Sequence, residues 1–346
     1  MLDRDLGAEL KTGALAPGTH CGIVIGVVQH GVRRVFTYGP VKPDGVFEIG
    51  SITKTFTGLL LAQMVEQGRV RLVDPVRTLL PTGTVNKPTE DEITLRDLTT
   101  HHSGLPSNPT NVDLADPGNA FADYTPDALY AYLHTRGVQH APETPYDYSN
   151  TGMKLLGQLL AAKAGLSYQS LLQQQITGPL GMHDTGVVVS PEMKLREVQG
   201  YDDEHHPTES PTPKNLPGAS GIRSTAADML TYLDAQLHPE RIHAVGSARS
   251  LQAAIQLTHQ IRAEANPGMH IAMNWFHSDA DGSFQHGGIM GGFTSMVLFN
   301  TEQDFGVVVL SNTMAGQESL VVRLANHVAQ RLMGLPALSL AEQKKN

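Results

Sequence analysis

The sequence predicts an α+β fold in which strands from both ends of the chain form one antiparallel sheet flanked by helices. Two β-branched segments, 21–28 and 33–38, meet at His30-Gly31 and are typical of a hairpin. Further strand patterns lie in the last third of the chain, at 270–276, 283–286, 293–299 and 305–310. The region between the two ends, from 69 to about 200, is mostly helical and rich in loops. Strands around a helical middle favour a single sheet built from the two termini.

The composition is that of an ordinary soluble globular protein with a sizeable core. The chain has 346 residues, of which 40% are hydrophobic and 17% charged, so it can form one large domain or two intertwined domains. The formal net charge of −9 argues against nucleic acid as a partner. No apolar run reaches the length of a bilayer span, so no transmembrane segment is predicted.

The only cysteine and the N-terminus bear on the cellular compartment. Cys21 is alone, so no intrachain disulfide is possible, and its strand pattern predicts a core thiol. The segment Met1–Asp5 has neither the basic region nor the apolar region of a signal peptide. A cytoplasmic protein is expected on this basis, or a periplasmic or extracellular one if a signal peptide has been removed.

The first helical elements surround a serine. Residues 1 to about 16 predict a short helix, and after the hairpin a second helix begins at Ser51 and continues to about Gln67. Gly50 provides a tight turn before it, and Gly68 is a typical helix stop. Apolar residues at helical spacing predict one buried face, formed by Ile52, Phe56, Leu59, Leu60, Met64 and Val65.

Ser51 and Lys54 lie one helical turn apart on the same face. A serine hydroxyl becomes a nucleophile when a neighbouring base takes its proton, and a partly desolvated lysine amine can be that base. Free N–H groups at the start of the helix would stabilise an oxyanion. Because Ser-x-x-Lys occurs by chance about once in a chain of this length, an N-cap serine with a solvated lysine is the alternative.

The rest of the chain is helical until the strands return. Turn signals follow the Ser51 helix at 72–75 and 80–81. Helices are predicted at 94–99, 126–135, 151–164, 168–176, 224–237 and 318–333, with Ser224 as a cap. Polar stretches predict loops at 107–124 and 202–217. No repeat or linker divides the chain.

A second group of polar residues precedes the helix at Thr151. Tyr148 stands at a loop-to-helix corner, and beside a lysine ammonium its phenolate form is favoured, so it can act as a base. Asn150 can both donate and accept hydrogen bonds, so it can bind a substrate amide and orient Lys54. The alternative is a packing tyrosine followed by a capping asparagine.

A third stretch, 285–293, contains four glycines within a strand pattern. Such a strand lets a ligand backbone approach closely and pair as an added strand, and one of its N–H groups can be a second oxyanion donor. His286 is expected to carry the positive charge that a substrate carboxylate needs, or to relay protons. The alternative is a flexible hairpin with an incidental histidine.

Together, the three stretches resemble the three motifs of the penicillin-recognising serine hydrolases, which include class C β-lactamases, DD-peptidases and related esterases. The matching segments are Ser51-Ile52-Thr53-Lys54, Tyr148-Ser149-Asn150 and His286-Gly287-Gly288. Flanking segments also match, at 47–51, 72–75, 102–106, 221–225 and 310–312. The resemblance covers about residues 15 to 333.

The resemblance implies a β-lactamase/transpeptidase-like fold, an α/β sandwich plus a helical domain. Its sheet of five or more antiparallel strands, with helices on both faces, would belong to an α/β domain formed by 1–58 and 200–346. A mainly helical domain would comprise 59–199, and the active site would lie in the cleft between the two.

The resemblance also implies roles for individual residues. Ser51 is similar to the acylated nucleophile, Lys54 to its partner and Tyr148 to the general base. The oxyanion hole would use backbone N–H groups of Ser51 and Ile289. The residues implied to contact the substrate are Asn150, His286, Gly288, Ile289 and Asn312. The implied activity is cleavage of a β-lactam or a D-Ala-D-Ala type amide through an acyl-enzyme, on a small-molecule or peptide substrate that bears a carboxylate, without a cofactor.

One motif departs from the β-lactamase pattern. Class C β-lactamases have Lys-Thr-Gly where this chain has His286-Gly287-Gly288. Histidine there is more similar to certain DD-peptidases and D-amino-acid peptidases, and some esterases of the family have tryptophan. The departure argues against efficient β-lactam turnover and keeps two alternatives open: a carboxylesterase, and a penicillin-binding sensor without turnover.

Unrelated hydrolase chemistries are disfavoured. The pattern Gly-x-Ser-x-Gly is absent. The histidine pairs at 101–102 and 205–206 are adjacent in sequence, so their side chains do not face the same way, and His-Glu-x-x-His is absent. No metal site is therefore expected.

Overall fold

The strands form one large sheet and one small one. The computed structural model describes residues 2–12, 15–112, 124–141, 144–209, 215–243, 245–314, 320–337 and 340. The strands are β1 (Ile23–Gln29), β2 (Val32–Tyr38), β3 (Phe47–Glu48), β4 (Arg223–Ser224), β5 (Ala263–Asn266), β6 (Met269–Ile271), β7 (Phe276–Ser278), β8 (Phe284–Met290), β9 (Phe293–Asn300) and β10 (Phe305–Ser311). Eight of them form a sheet in the order β2-β1-β10-β9-β8-β7-β6-β5, and β3 pairs with β4.

The sheet joins the two ends of the chain. Strands β1 and β2 form the predicted hairpin, and its turn residues His30 and Gly31 both have positive φ, 49° and 76°, as two-residue hairpin turns require. Strand β1 also pairs antiparallel with β10, with Ile25 opposite Val309. This pairing confirms the predicted α+β fold with a sheet built from both termini.

The prediction of a single strand at 270–276 is wrong, because the segment contains a turn between two strands. Strands β6 and β7 are separated by a turn in which the Ala272 N–H bonds the Trp275 carbonyl at 2.9 Å, and Asn274 has a φ of 63°. The segment is apolar enough to resemble one continuous strand, so the turn was not visible in the pattern. The sequence does not predict the short edge strand β5, because its alanines and polar residues include no β-branched or aromatic side chain.

Helices surround the sheet and fill the middle of the chain. They are α1 (Leu2–Asp5), α2 (Gly7–Thr12), α3 (Thr53–Glu66), α4 (Leu95–Thr99), α5 (Pro126–Arg136), α6 (Asn150–Ala164), α7 (Tyr168–Leu172), α8 (Gly178–Leu180), α9 (Pro191–Lys194), α10 (Ala226–Leu237), α11 (Leu251–Thr258) and α12 (Leu320–Leu332). Helix α10 packs against β1 and β10, and α12 packs against β9 and β10. Alternate residues of β1 enter different cores, Val24 with Leu230 on the α10 side and Ile25 with Leu324 on the α12 side, so the sheet has helices on both faces.

Helix α3 is buried on all sides. Every residue from Thr53 to Met64 is buried, because α11, α6 and α7 pack around it. The prediction of one buried face is therefore wrong. Because the polar residues of α3 are also covered, Lys54 lies in the protein interior.

Several predicted boundaries differ or cannot be compared. The predicted N-terminal helix is two helices, α1 and α2, and residues 1, 13 and 14 lie outside the described residues. The predicted loops 107–124 and 202–217 include 113–123 and 210–214, which also lie outside them, as does the predicted start of the last helix at 318. Helix α10 is capped by Thr225 rather than Ser224, which ends β4.

Among the described residues, no helix combines the length and the apolar character needed to cross a membrane. The division into a domain of 1–58 and 200–346 and a helical domain of 59–199 stays a prediction.

Candidate active site

Ser51 lies in a tight turn that leads into α3. The turn is a 3₁₀ helix, Gly50–Ile52, and α3 begins only at Thr53. Gly50 has a φ of 49°, and a side chain there would meet the Ile289 backbone nitrogen of β8 at 2.9 Å. Strand β8 therefore passes directly beside the turn that carries the serine.

A second glycine allows this close approach from the β8 side. A Cβ atom on Gly288 would collide with the Ile49 carbonyl oxygen, which also accepts a hydrogen bond from Ser295 Oγ at 2.9 Å. Only glycine fits between β8 and the Ser51 turn. Gly288 and Ile289 are thus brought to the serine, while their contact with a substrate stays a prediction.

Lys54 is buried and its Nζ atom has three polar neighbours. Nζ lies 2.8 Å from Ser51 Oγ, 2.8 Å from Asn150 Oδ1 and 2.9 Å from the Ala219 carbonyl oxygen. Burial, and secondarily the charge of Lys154, lower the pKa of Lys54 well below its usual value. A neutral amine has two hydrogens for the two carbonyl oxygens and one lone pair for the Ser51 hydroxyl. Lys54 is therefore placed to accept the serine proton.

Tyr148 lies near Lys54 and Ser51 as an uncharged phenol. Its ring centroid is 4.8 Å from Lys54 Nζ, the atom that contacts Ser51 Oγ. Burial raises the pKa of Tyr148 above its usual value, and the interaction with the Ser51 hydroxyl opposes this rise only in part. The expected phenolate is therefore wrong for this state, because it required a lysine ammonium and burial lowers the pKa of Lys54. Tyr148 can donate a proton to a leaving group.

Asn150 is the first residue of α6, whose N-cap Ser149 accepts a hydrogen bond from the Gly152 N–H at 2.9 Å. The Asn150 Oδ1 atom accepts from Lys54, and its amide nitrogen donates to Ser107 Oγ at 3.2 Å. The contact that orients Lys54 is present. Binding of a substrate amide by Asn150 stays a prediction.

His286 is buried beside Tyr148 and is uncharged. Its Nδ1 atom lies 2.7 Å from the Gly287 carbonyl oxygen, so Nδ1 carries the hydrogen and donates it. Burial first, and the charge of Lys54 second, lower the pKa of His286 to about 3. The expectation that His286 supplies a positive charge is therefore wrong, since its burial between β9, Phe276 and Tyr148 was not visible in the sequence.

Asn312 holds the backbone together, and its predicted role in lining the site stays a prediction. Its Oδ1 atom accepts from the Gly22 N–H at 2.7 Å, and its amide nitrogen donates to the carbonyl oxygens of His20 and Gln199 at 3.1 and 3.0 Å. Asn312 thus ties three backbone segments together. None of these contacts is with the Ser51 turn.

Three neighbours of the site were missed from the sequence. The sequence contains no signal for the role of the Ala219 carbonyl group, because every residue has a backbone carbonyl. Lys154 is buried on α6, where burial lowers its pKa to about 7, and its position one turn after Asn150 was a usable signal. His101 was considered only as a metal ligand, although its ring centroid lies 4.4 Å from that of Tyr148. In the part of the chain that the structure describes, no group of three or more His, Cys, Asp or Glu is placed to hold a metal ion.

Known proteins similar to this chain cover most of its length. The family described as Beta-lactamase matches residues 14–330. The D-alanyl-D-alanine-carboxypeptidase/endopeptidase AmpH of Escherichia coli (strain K12) is 30% identical over 312 residues, which are 82% of this chain and 77% of AmpH.

Two further relatives carry β-lactamase names. A beta-lactamase of Pseudomonas fluorescens is 29% identical over 246 residues, which are 69% of this chain and 64% of that protein, so the match spans less than two thirds of its length. The crystal structure of a class C beta lactamase from Rhodobacter sphaeroides superimposes with a TM-score of 0.72 at 29% identity and covers 86% of this chain and 90% of that one. The fold, the motif order and these relatives point to the same family.

Proposed function

The chain belongs to the beta-lactamase family, and we propose that it is a serine hydrolase that forms an acyl-enzyme on Ser51. One observation carries the proposal: the Ser51 hydroxyl oxygen lies 2.8 Å from the amine of buried Lys54, whose Nζ atom is 4.8 Å from the centroid of the Tyr148 ring. A nucleophile with a proton acceptor in contact and a proton donor nearby is what acyl transfer requires. The site would lie in the cleft between the α/β and helical parts.

In the proposed acylation, the neutral Lys54 amine takes the Ser51 proton as Oγ attacks the substrate carbonyl carbon. Backbone N–H groups of Ser51 and Ile289 would stabilise the oxyanion. When the tetrahedral intermediate collapses, the bond to the leaving nitrogen breaks and Tyr148 gives that nitrogen its proton. The Lys54 ammonium then returns a proton to Tyr148, so both groups regain their starting forms. Deacylation repeats these steps with water as the nucleophile.

The proposed substrates are β-lactams and D-amino-acid amides of the D-Ala-D-Ala type. The support comes from AmpH, named a D-alanyl-D-alanine-carboxypeptidase/endopeptidase, and from the relatives named beta-lactamases. Asn150 would bind the substrate amide. On this proposal the protein acts in the periplasm or outside the cell if its native form is exported, and in the cytoplasm otherwise.

A second candidate, a carboxylesterase, is favoured by His286. A substrate carboxylate gains most from a charged partner, and an uncharged imidazole does not provide one. The binding of an ester that has no carboxylate does not depend on such a charged partner. The esterase is therefore kept as the alternative activity of the same serine.

A panel of four substrates at neutral pH tests the proposal: a chromogenic cephalosporin, a D-Ala-D-Ala peptide, a D-amino-acid p-nitroanilide and a short p-nitrophenyl ester. Turnover of any of the first three supports the proposed activity, and turnover of the ester alone supports the esterase. A stable penicillin adduct on Ser51 without product release would instead indicate a penicillin-binding sensor. If no substrate is cleaved and no adduct forms, the proposal fails.

For His286 we expect a pH-independent preference between charged and uncharged substrates. The ratio of kcat/KM for the cephalosporin to kcat/KM for the ester should stay constant from about pH 5 to about pH 8, because the imidazole is already uncharged throughout this range. His286→Lys should raise this ratio about tenfold, the value of one charge-assisted hydrogen bond, and the neutral control His286→Gln should not. A wild-type ratio that falls as pH rises through about 6.5 would mean that His286 binds substrate as a cation.

A further inference from the structure

His101 is a buried histidine with an unusual backbone conformation. Its φ is 60°, in the left-handed region that residues with side chains rarely adopt. Such a conformation persists only where surrounding contacts hold it. The contacts of His101 therefore indicate which function requires this backbone conformation.

The hydrogen-bond acceptors of His101 are directed at the segment that carries Tyr148. Its carbonyl oxygen accepts from the Asp147 N–H at 2.8 Å, and its Nδ1 atom accepts from the Ser149 N–H at 3.1 Å. These two N–H groups lie on either side of Tyr148. One residue thus holds the backbone before and after the tyrosine.

The His101 ring also lies against the Tyr148 ring. The ring centroids are 4.4 Å apart with an angle of 32° between the planes. Because Nδ1 accepts a hydrogen bond, the hydrogen of this imidazole is on Nε2, and burial lowers the pKa of His101 well below its usual value. The acceptor at Nδ1 is therefore retained at neutral pH.

The surrounding loop supports the same segment. The Ser149 hydroxyl donates to the Pro106 carbonyl oxygen at 2.9 Å, and the Thr151 N–H donates to the Ser107 carbonyl oxygen at 3.2 Å. His101 differs from these neighbours because its side chain touches the tyrosine itself.

We propose that His101 is a positioning residue that holds the Tyr148 hydroxyl in line with Ser51 and the leaving group. His101 acts through Tyr148 and takes no proton itself. The inference rests on the proposed function, in which Tyr148 protonates the leaving nitrogen. A displacement of about 1 Å in such a donor can cost about a hundredfold in rate.

Two variants separate the side chain from the backbone conformation. His101→Gly removes the imidazole, while glycine adopts a positive φ without strain, so the loop keeps its path. His101→Asn tolerates the same backbone region and places an amide oxygen near the position of Nδ1. Thermal unfolding of both variants checks that they fold.

The readout compares two reactions of Ser51. One is cleavage of the cephalosporin, the D-Ala-D-Ala peptide or the D-amino-acid p-nitroanilide, whichever the wild type cleaves fastest, because each releases a nitrogen that needs a proton. The other is labelling by a fluorophosphonate, whose fluoride leaves without one. His101→Gly should lower kcat for the first by about a hundredfold with KM nearly unchanged and should leave labelling close to the wild-type rate. His101→Asn should recover most of the loss.

A double-mutant cycle tests whether the effect passes through the tyrosine. In a Tyr148→Phe background, His101→Gly should cost no more than about threefold, because coupled residues are not additive. His140→Ala is the matched control: it removes a 2.8 Å hydrogen bond to the His102 carbonyl oxygen in the same loop, and it should leave the ratio of the two rates unchanged.

Each outcome decides the inference. A full hundredfold loss in the Tyr148→Phe background, or an equal loss in labelling, would make His101 a general structural residue and overturn the inference. Wild-type rates in His101→Gly would overturn it as well. If the wild type cleaves none of the three nitrogen-releasing substrates, the proposed amide and lactam activity fails, and the inference fails with it.

Discussion

Replacement of Ser51 by alanine is expected to lower kcat/KM by about 10³-fold or more, because no other group can form the acyl-enzyme. The variant should fold normally, since the Ser51 side chain caps no helix: the N-cap of α3 is Ile52, without a side-chain hydrogen bond. Steady-state kinetics on the best substrate of the panel measures the loss, and thermal unfolding provides the control for folding.

Mass spectrometry tests the same serine independently of turnover. Intact wild-type protein treated with a fluorophosphonate or a penicillin should gain one adduct, and peptide mapping should place it on Ser51. The alanine variant should gain none. An adduct on another residue, or an alanine variant with wild-type activity, would remove Ser51 as the nucleophile.

The second large effect concerns Lys54 and Tyr148, which we expect to act as one unit for proton transfer. Lys54→Ala and Tyr148→Phe should each lower kcat strongly, and the double variant should lose little more than the worse single variant, because the proton that Lys54 takes from Ser51 is the one that restores Tyr148. If the two losses multiply, the residues act independently and the proposed proton path is wrong.

Arginine at position 54 provides a matched control for charge. Lys54→Arg keeps a hydrogen-bond donor, but a guanidinium stays protonated in proteins and cannot accept the Ser51 proton. The variant should therefore be as inactive as Lys54→Ala. In the wild type, kcat/KM should rise with pH through the lowered pKa of Lys54 and then stay level until Tyr148 ionises, which its raised pKa places above its usual range. An active arginine variant would show that Lys54 is needed for its charge.

Much of the architecture could be predicted from local patterns. The continuous apolar runs in 21–28 and 305–310 and the helical spacing in 151–164 depend only on neighbours in the sequence, so β1, β10 and α6 were found close to their observed bounds. The turn between β6 and β7 and the polar strand β5 were not found, because their conformation depends on pairing partners rather than on their own pattern.

The members of the site could also be predicted, because Ser51, Lys54, Tyr148 and Asn150 belong to short motifs whose chemistry is recognisable. The hydrogen bonds of Asn312 to the backbone of His20, Gly22 and Gln199 could not be predicted. Those partners are distant in sequence, so the local sequence around residue 312 does not predict them.

By itself, the sequence determined which residues form the candidate site and the kind of chemistry they can perform, because the type of a side chain and its spacing within a helix are local properties. Only the tertiary structure decided the protonation of that site. Lys54 has a lowered pKa, Tyr148 is a phenol and His286 is neutral because parts of the chain distant in sequence cover α3, β8 and the segment before α6. The physical reason is desolvation: the free energy of charging a group depends on what surrounds it in space.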